Sequence, residues 1–188
     1  CFEALEAQTM KDFKILVVDN GSTDGSVEWL KEKQIPSIFL PENTGFSGAV
    51  NVGIKAADTP YVILLNNDTK VAPHYVEALE RAMDRSEKIF SVSSKMIQMY
   101  HPDLMDDAGD MYSVLGWAFQ RGVGRPEKLY KKSCRVFTAC AGAAVALKER
   151  MEREQISGTV RVYGCPAEEI VIGKIRMNEQ GGFDELSA

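Results

Sequence analysis

The sequence holds few metal-binding side chains. There are two histidines in 188 residues, His74 and His101, and neither has a second histidine at zinc-ligand spacing. Both read as surface or loop residues. The four cysteines, Cys1, Cys134, Cys140 and Cys165, include no C-x-x-C pair. They read as reduced thiols of a cytoplasmic protein rather than a disulfide framework. No apolar run of about 18 residues occurs, so no segment reads as crossing a membrane. Contact with the inner face of a membrane would then come through further parts or partners. A basic excess is also missing: the formal net charge is −5, which argues against general nucleic-acid binding. It leaves room for a phosphate-bearing small ligand, because backbone N–H groups and a cation can hold phosphates. An initial Met is absent as well. Cys1 opens a helix-like pattern, with Phe2 and Leu5 apolar and Glu3 and Glu6 polar, and no strand precedes it. This reads as a chain cut at its N-terminus.

What is present is an ordinary globular balance, 45% apolar and 26% charged, over a length that suits one domain with a real core. The order of elements suggests its class. Ile15-Leu16-Val17-Val18 is a short apolar run that suits a strand buried on both faces. The turn formers Asp19 to Gly25 follow, then a helix-like stretch from Ser26 to Lys33. The unit repeats with a strand at 37–40, a loop at 41–45, a helix at 46–57 and a strand at 61–65. The span 72–86 is the clearest helix, with Tyr75, Leu79, Ala82 and Met83 on one face and Glu77 four before Arg81. A fourth strand is expected at 89–93. Strands alternating with helices imply an α/β fold with a mostly parallel, Rossmann-like sheet and flanking helices. From Lys95 to Lys132 the rhythm breaks into long loops with short strands, and an apolar pattern returns over 135–147.

In open parallel sheets, ligands bind beyond the carboxyl ends of the strands. Asp19 follows the first strand and Asn66-Asn67-Asp68 follows the third. Asp68, flanked by amides, suits Mg2+ or Mn2+, which use one or two carboxylates completed by phosphates and water. It also suits an Asx turn capping the next helix. Asp19 suits acceptance of hydrogen bonds from the imide of a pyrimidine, since an ionised carboxylate only accepts. It could also be a plain turn residue, with Gly21 supplying a positive φ and Asp24 capping a helix.

Three segments, "ILVVDNGSTDGS", "PENTGFSGAVNVGI" and "YVILLNNDTKV", together resemble the family 2 glycosyltransferases of the GT-A fold, in that family's order and spacing. The Asn-Asn-Asp form is similar to rhamnosyltransferase-like enzymes. The resemblance implies that Asp19, with Asn20 and Gly21, contacts the base, and that Asp68 ligates the metal beside Asn67. Asn43, Gly45, Asn51 and Gly53 match the segment lining the nucleotide site, although Gly45 and Gly53 also suit helix termination or close packing. The implied reaction moves a sugar from a dTDP- or UDP-linked donor to a saccharide or lipid-linked acceptor, with inversion, in cell-wall or polysaccharide assembly. Trp117 suits sugar stacking, or packing in the core or a loop.

The resemblance has gaps. The family's opening strand with its base-seating segment is absent, and no Glu-Asp motif follows Gly181-Gly182-Phe183-Asp184-Glu185. In the family that acid is the general base, so weak turnover is expected and no catalytic residue is assigned. Residues 148–188 look foreign to 1–147. "GTVRVYGCPAEEIVIGKIRM" resembles zinc amidohydrolases and carboxypeptidase-like metallopeptidases, which would make Glu168 a base and Glu169 a ligand. Two carboxylates alone cannot close a zinc site. The expectation is a chimera joined near 146–150, its tail no independent domain. Two alternatives stand beside sugar transfer: a nucleotide-diphosphate-binding module without catalysis, and a zinc amidohydrolase fragment.

Overall fold

The computed structural model describes residues 1–136, 139 and 142–149, and the backbone of 162–163 and 172–174. In chain order the elements are α1 (Phe2–Glu6), β1 (Val17–Asp19), α2 (Ser26–Glu32), β2 (Ser37–Phe39), α3 (Gly45–Ala56), β3 (Tyr61–Leu65), β4 (Thr69–Val71), α4 (Tyr75–Met83), β5 (Ser91–Ser93), β6 (Met96–Gln98), β7 (His101–Asp107), β8 (Asp110–Tyr112), β9 (Ala118–Gln120), a 3-10 turn (Glu127–Leu129), β10 (Arg135–Val136), β11 (Ala143–Leu147), β12 (Val162–Tyr163) and β13 (Ile172–Lys174). They form two compact units. One consists of Asp12–Val62 with residues 147–149. The other holds Cys1–Lys11, Ile63–Ala146 and the two tail strands.

In the first unit β1 and β2 pair in parallel, Val17 with Ser37 and Asp19 with Phe39, as a strand–helix–strand order requires. The connecting α2 starts after Gly25. Asp24 Oδ1 accepts from the Ser26 N–H at 3.1 Å and from its hydroxyl at 2.6 Å. These bonds satisfy an orphan donor of the first turn and hold the Asp24 carboxyl below its ordinary range. Helix α3 lies close on β1, because a Cβ at Gly53 would come within 3.2 Å of Val18 Cγ2. Beyond β11, the Lys148 N–H donates to the Pro60 carbonyl at 2.9 Å. The expectation that 15–18 forms a strand sealed on both faces is corrected. The strand begins at Val17, Val17 and Val18 are half-buried, and Leu16 is exposed. The physical reason is that β1 has a single strand neighbour, β2, among the described residues.

In the second unit a five-stranded sheet runs in the order β10-β12-β5-β11-β3, and a four-stranded one in the order β4-β13-β6-β7. Val92 at the middle of β5 is fully buried opposite Val145 of β11. β3 is half-buried along its whole length because it is an edge strand. Helix α4 buries Tyr75, Leu79, Ala82 and Met83, the face that the spacing predicts. It is shorter than 72–86 because Pro73 lies in a turn that the Tyr75 N–H closes onto the Ala72 carbonyl. Its exposed Glu77–Arg81 pair, at 3.2 Å, contributes little to stability. Tyr75 is fully buried, and burial pushes its hydroxyl well above the ordinary tyrosine range. Gln8, also buried, ties the unit's start to α4. Its Nε2 donates to the Ala4 carbonyl at 2.9 Å and to the Ala72 carbonyl at 2.7 Å, and its Oε1 accepts from the Val76 N–H at 3.0 Å.

The α/β class with flanking helices stands, but the expectation of a mostly parallel sheet is corrected. Beyond β1 and β2 the pairing is mixed, with β10–β12 and β13–β4 also antiparallel. Strands joined by short connections, such as β6 with β7 and β8 with β9, pair antiparallel because a parallel pair needs a long crossover. β12 with β5 and β13 with β6 are parallel. β11 with β5, β6 with β7, and β8 with β9 are antiparallel. Short strands break the loop region after Lys95, as its irregular pattern suggests.

Candidate functional site

The first cluster sits at the carboxyl end of β1. The pairing of β1 with β2 extends through Asp19, whose carbonyl accepts from the Leu40 N–H at 2.9 Å. The carboxylate is therefore carried by fixed backbone. It is buried, and its Oδ1 accepts the Ser22 N–H at 3.0 Å. That bond is the Asx turn the sequence allows. It uses one oxygen, and Oδ2 has no hydrogen bond among the described residues. Turn formation and ligand binding are thus compatible in Asp19.

Asn20 has a role the sequence did not show. Its Nδ2 donates to Asn43 Oδ1 at 3.1 Å and to the Gly45 carbonyl at 3.2 Å. Its Oδ1 accepts from the Thr44 N–H at 2.9 Å and the Thr44 hydroxyl at 3.0 Å. The side chain therefore staples the turn after β1 to the start of α3. Asn43 completes the staple by accepting the Gly45 N–H at 2.8 Å. Gly21 is obligatory here: φ is +79°, and a Cβ would stand 2.8 Å from the Glu42 carbonyl carbon and 2.9 Å from the Asn43 nitrogen. Gly45 opens α3 at φ +76° with open space around it, so its requirement is conformational rather than steric. Asn51 is exposed on α3. Asp19, Asn20, Gly21, Asn43 and Gly45 are thus brought together.

The second cluster, in the other unit, follows β3. Thr69 Oγ1 donates to the Asn66 carbonyl at 2.7 Å, and the Asn66 N–H donates to the Gly142 carbonyl at 2.9 Å. This fixes the turn from both sides. Asn67 is exposed at its tip. Asp68 Oδ1 is buried and has no hydrogen-bond partner among the described residues. A buried carboxylate oxygen left unpaired carries a desolvation penalty unless a cation or donor meets it. Its chemistry fits Mg2+ or Mn2+. No group of three His, Cys, Asp or Glu side chains capable of holding a metal occurs among the described residues. Asp68 alone meets the need of Mg2+ or Mn2+ for one or two carboxylates beside phosphate and water.

Other sequence expectations are resolved unevenly. His74 and His101 are exposed. Trp117 is 72% exposed on the β8–β9 hairpin. Glu168 and Glu169 lie outside the described residues, as does the segment 181–185. The acids of 106–110 open a segment, "DDAGDMYSVLGWAFQRGVG", that resembles the family's variable region. Asp107 is fully buried and accepts the Gly109 N–H at 3.0 Å, while burial raises the Asp110 carboxyl. Three acids around Ala108-Gly109 in a loop-rich stretch were the available signal.

Residues 1–151 match the family described as glycosyl transferase family 2. A teichoic acid poly(glycerol phosphate) polymerase of Staphylococcus epidermidis is 33% identical over 82 residues, 40% of this chain and 11% of that protein. An uncharacterized glycosyltransferase of Nostoc sp. is 33% identical over 105 residues, 53% of this chain and 30% of that protein. The chain thus spans less than a third of the length of these relatives. The crystal structure of GalNAc-T7 with UDP, GalNAc and Mn2+ superposes on all of this chain and 42% of that one, with a TM-score of 0.70 and 12% identity. The fold is of the GT-A kind. The chain belongs to glycosyl transferase family 2.

Proposed function

We propose that this family 2 chain carries the donor-binding part of a glycosyltransferase that takes a nucleoside-diphosphate sugar with a divalent cation. The observation that carries the reading is the buried Oδ1 of Asp68, in the turn after β3, which has no hydrogen-bond partner among the described residues. The GT-A structural neighbour, solved with UDP and Mn2+, supports it. In this reading Asp19 Oδ2 accepts the imide N–H of a uracil or thymine ring, while its Oδ1 stays in the turn. Asn20 positions the loop that lines the nucleotide and does not itself bind it. Asn43 and Gly45 hold that loop, and Asn51 faces the nucleotide from α3. Asp68, with Asn67 beside it, holds the cation. When bound, the cation supplies charge neutralisation for the departing diphosphate.

The transfer joins an acceptor hydroxyl oxygen to the anomeric carbon as the carbon–phosphate oxygen bond breaks, with inversion. The nucleoside diphosphate leaves, and the hydroxyl proton passes to a base that no described residue is assigned to be. A rhamnose donor on dTDP is the finer reading, motivated by Asn66-Asn67-Asp68. The free thiols Cys1 and Cys134 accord with a cytoplasmic site of action. The family match ends at residue 151, beside the proposed join near 146–150. Pairing of β12 and β13 into the sheets supports treating 148–188 as an appendage rather than an independent domain. Long reads of the source DNA across codons 140–160 test the join, and an unbroken family 2 continuation would sink it.

Calorimetry with UDP and dTDP, with and without Mn2+, and an assay of donor consumption test the functional reading. Cation-dependent binding with transfer supports it. Binding without any transfer would favour a non-catalytic module, and stoichiometric zinc after purification would favour the amidohydrolase alternative.

A further inference from the structure

A recess in the second unit shares no residue with the Asp19 or Asp68 clusters. It is a shallow recess open to solvent, and its walls include Ser93, Lys95, Arg121, Lys132, Ser133 and Cys134. Three features make it unlike an ordinary surface dimple. First, its wall carries an unmet polar group: Ser93 is 4% exposed, and its hydroxyl has no hydrogen-bond partner among the described residues. Second, Lys95 is 8% exposed, and its charge is held in place by an ion pair with Glu127. Third, Arg121 is pre-oriented. Its guanidinium lies 4.9 Å over the Tyr130 ring, and Nη1 donates to the Ala108 carbonyl at 3.3 Å. That arrangement fixes the plane and leaves further N–H donors of the fork available.

The charge around the recess runs against that of the whole chain. Between Arg121 and Arg135 there are six basic side chains and one acidic one, Glu127, in a protein of net charge −5. Glu127 is already matched with Lys95. Arg121 and Lys132 have no carboxylate partner among the described residues. Two cations lining one small space suit a compact, multiply charged oxyanion. A carboxylate would leave donors unmet. A phosphate group offers three or more acceptor oxygens and up to two charges.

We propose that this recess binds a phosphate group, with Arg121 and Lys132 supplying the charge that holds it. Such a phosphate can arrive on an acceptor, such as a polyol phosphate, or on the nucleotide itself. The site stands independently of the sugar-transfer reading.

Cys134 supplies a reporter, being half-buried, free and on the recess wall. Its alkylation by iodoacetamide, a neutral reagent, is followed on the full chain by peptide mass mapping, which reads Cys1, Cys140 and Cys165 separately. Inorganic phosphate, glycerol 3-phosphate and UDP without metal are compared with sodium chloride at equal ionic strength. At about ten times its half-saturating concentration, phosphate is expected to slow Cys134 alkylation about tenfold and to leave Cys1 unchanged. Whichever of glycerol 3-phosphate and UDP protects at lower concentration identifies the carrier. Lys132→Gln, an exposed change, and Arg121→Gln are each expected to raise the half-saturating phosphate concentration about tenfold. Phosphate-dependent thermal shifts of the same variants give a second readout. Equal protection by chloride, no protection by phosphate, or protection that survives loss of both charges would overturn the proposal.

Discussion

Replacing Asn20 by alanine removes four hydrogen bonds at once: two donated by Nδ2, to Asn43 and Gly45, and two accepted by Oδ1, from Thr44. All four are solvent-accessible, so each belongs at the low end of the usual net worth, about 0.5 kcal/mol, and together they contribute about 1–2 kcal/mol. For a chain of this size that lowers the melting temperature by about 2–8 °C. The functional consequence should be larger, because the 42–45 loop then has to be ordered by the nucleotide. Affinity for UDP should fall about tenfold while the enthalpy of binding becomes more favourable and the entropy less so. Asn20→Asp separates the two halves of the staple. It keeps the acceptor for Thr44, but sets a carboxylate oxygen against the Asn43 and Gly45 oxygens, and should be at least as damaging. Differential scanning fluorimetry, calorimetry with UDP and hydrogen exchange across 42–45 read these effects. Unchanged exchange in that loop, together with unchanged UDP affinity in Asn20→Ala, would refute the staple.

Further expectations follow the same physical lines. Gly21→Ala must accept a left-handed φ and push backbone atoms that lie inside 3 Å of the new Cβ. It should destabilise the chain by about 2–4 kcal/mol, read by urea unfolding. Gln8→Met keeps volume but leaves the buried Val76 N–H and the Ala72 carbonyl short of partners, for a loss of about 2–4 kcal/mol in the same assay. Asp110 has a carboxyl raised by burial, so its relative contribution is intact below the ordinary aspartate range and is lost as pH rises through the raised value. Asp110→Asn should therefore melt higher than wild type at pH 7 and equal to it at pH 3; the reverse order would contradict the assignment.

The residues show which parts of this account were open to sequence reading. Helix α4 was legible because Tyr75, Leu79, Ala82 and Met83 repeat at the helical period, and the structure buries all four. Its start was not, since the Gln8 bonds to Ala72 and Val76 are long-range and leave no periodic trace. The strand ends carrying Asp19 and Asp68 were visible as apolar runs stopped by turn residues. Burial on both faces was misjudged at β1, because an apolar run does not reveal how many strands flank it. Asn20 was placed among nucleotide contacts because its neighbours in the motif suggested it. Its amide proves to be occupied by Thr44, Asn43 and Gly45, residues more than twenty positions away. The unmet oxygen of Asp68 is likewise a property of packing, not of the triplet's letters.

The central claim is that Asp68 links a divalent cation to nucleotide-diphosphate binding. The direct measurement is the affinity of UDP by calorimetry with and without saturating Mn2+, for the wild-type chain and for Asp68→Ala. The account predicts that Mn2+ tightens UDP binding by about tenfold or more in the wild type, within the usual range of coupling between two ligands. It predicts that this gain disappears in Asp68→Ala while metal-free UDP affinity changes little. An equal Mn2+ effect in both proteins, or none in either, would contradict it.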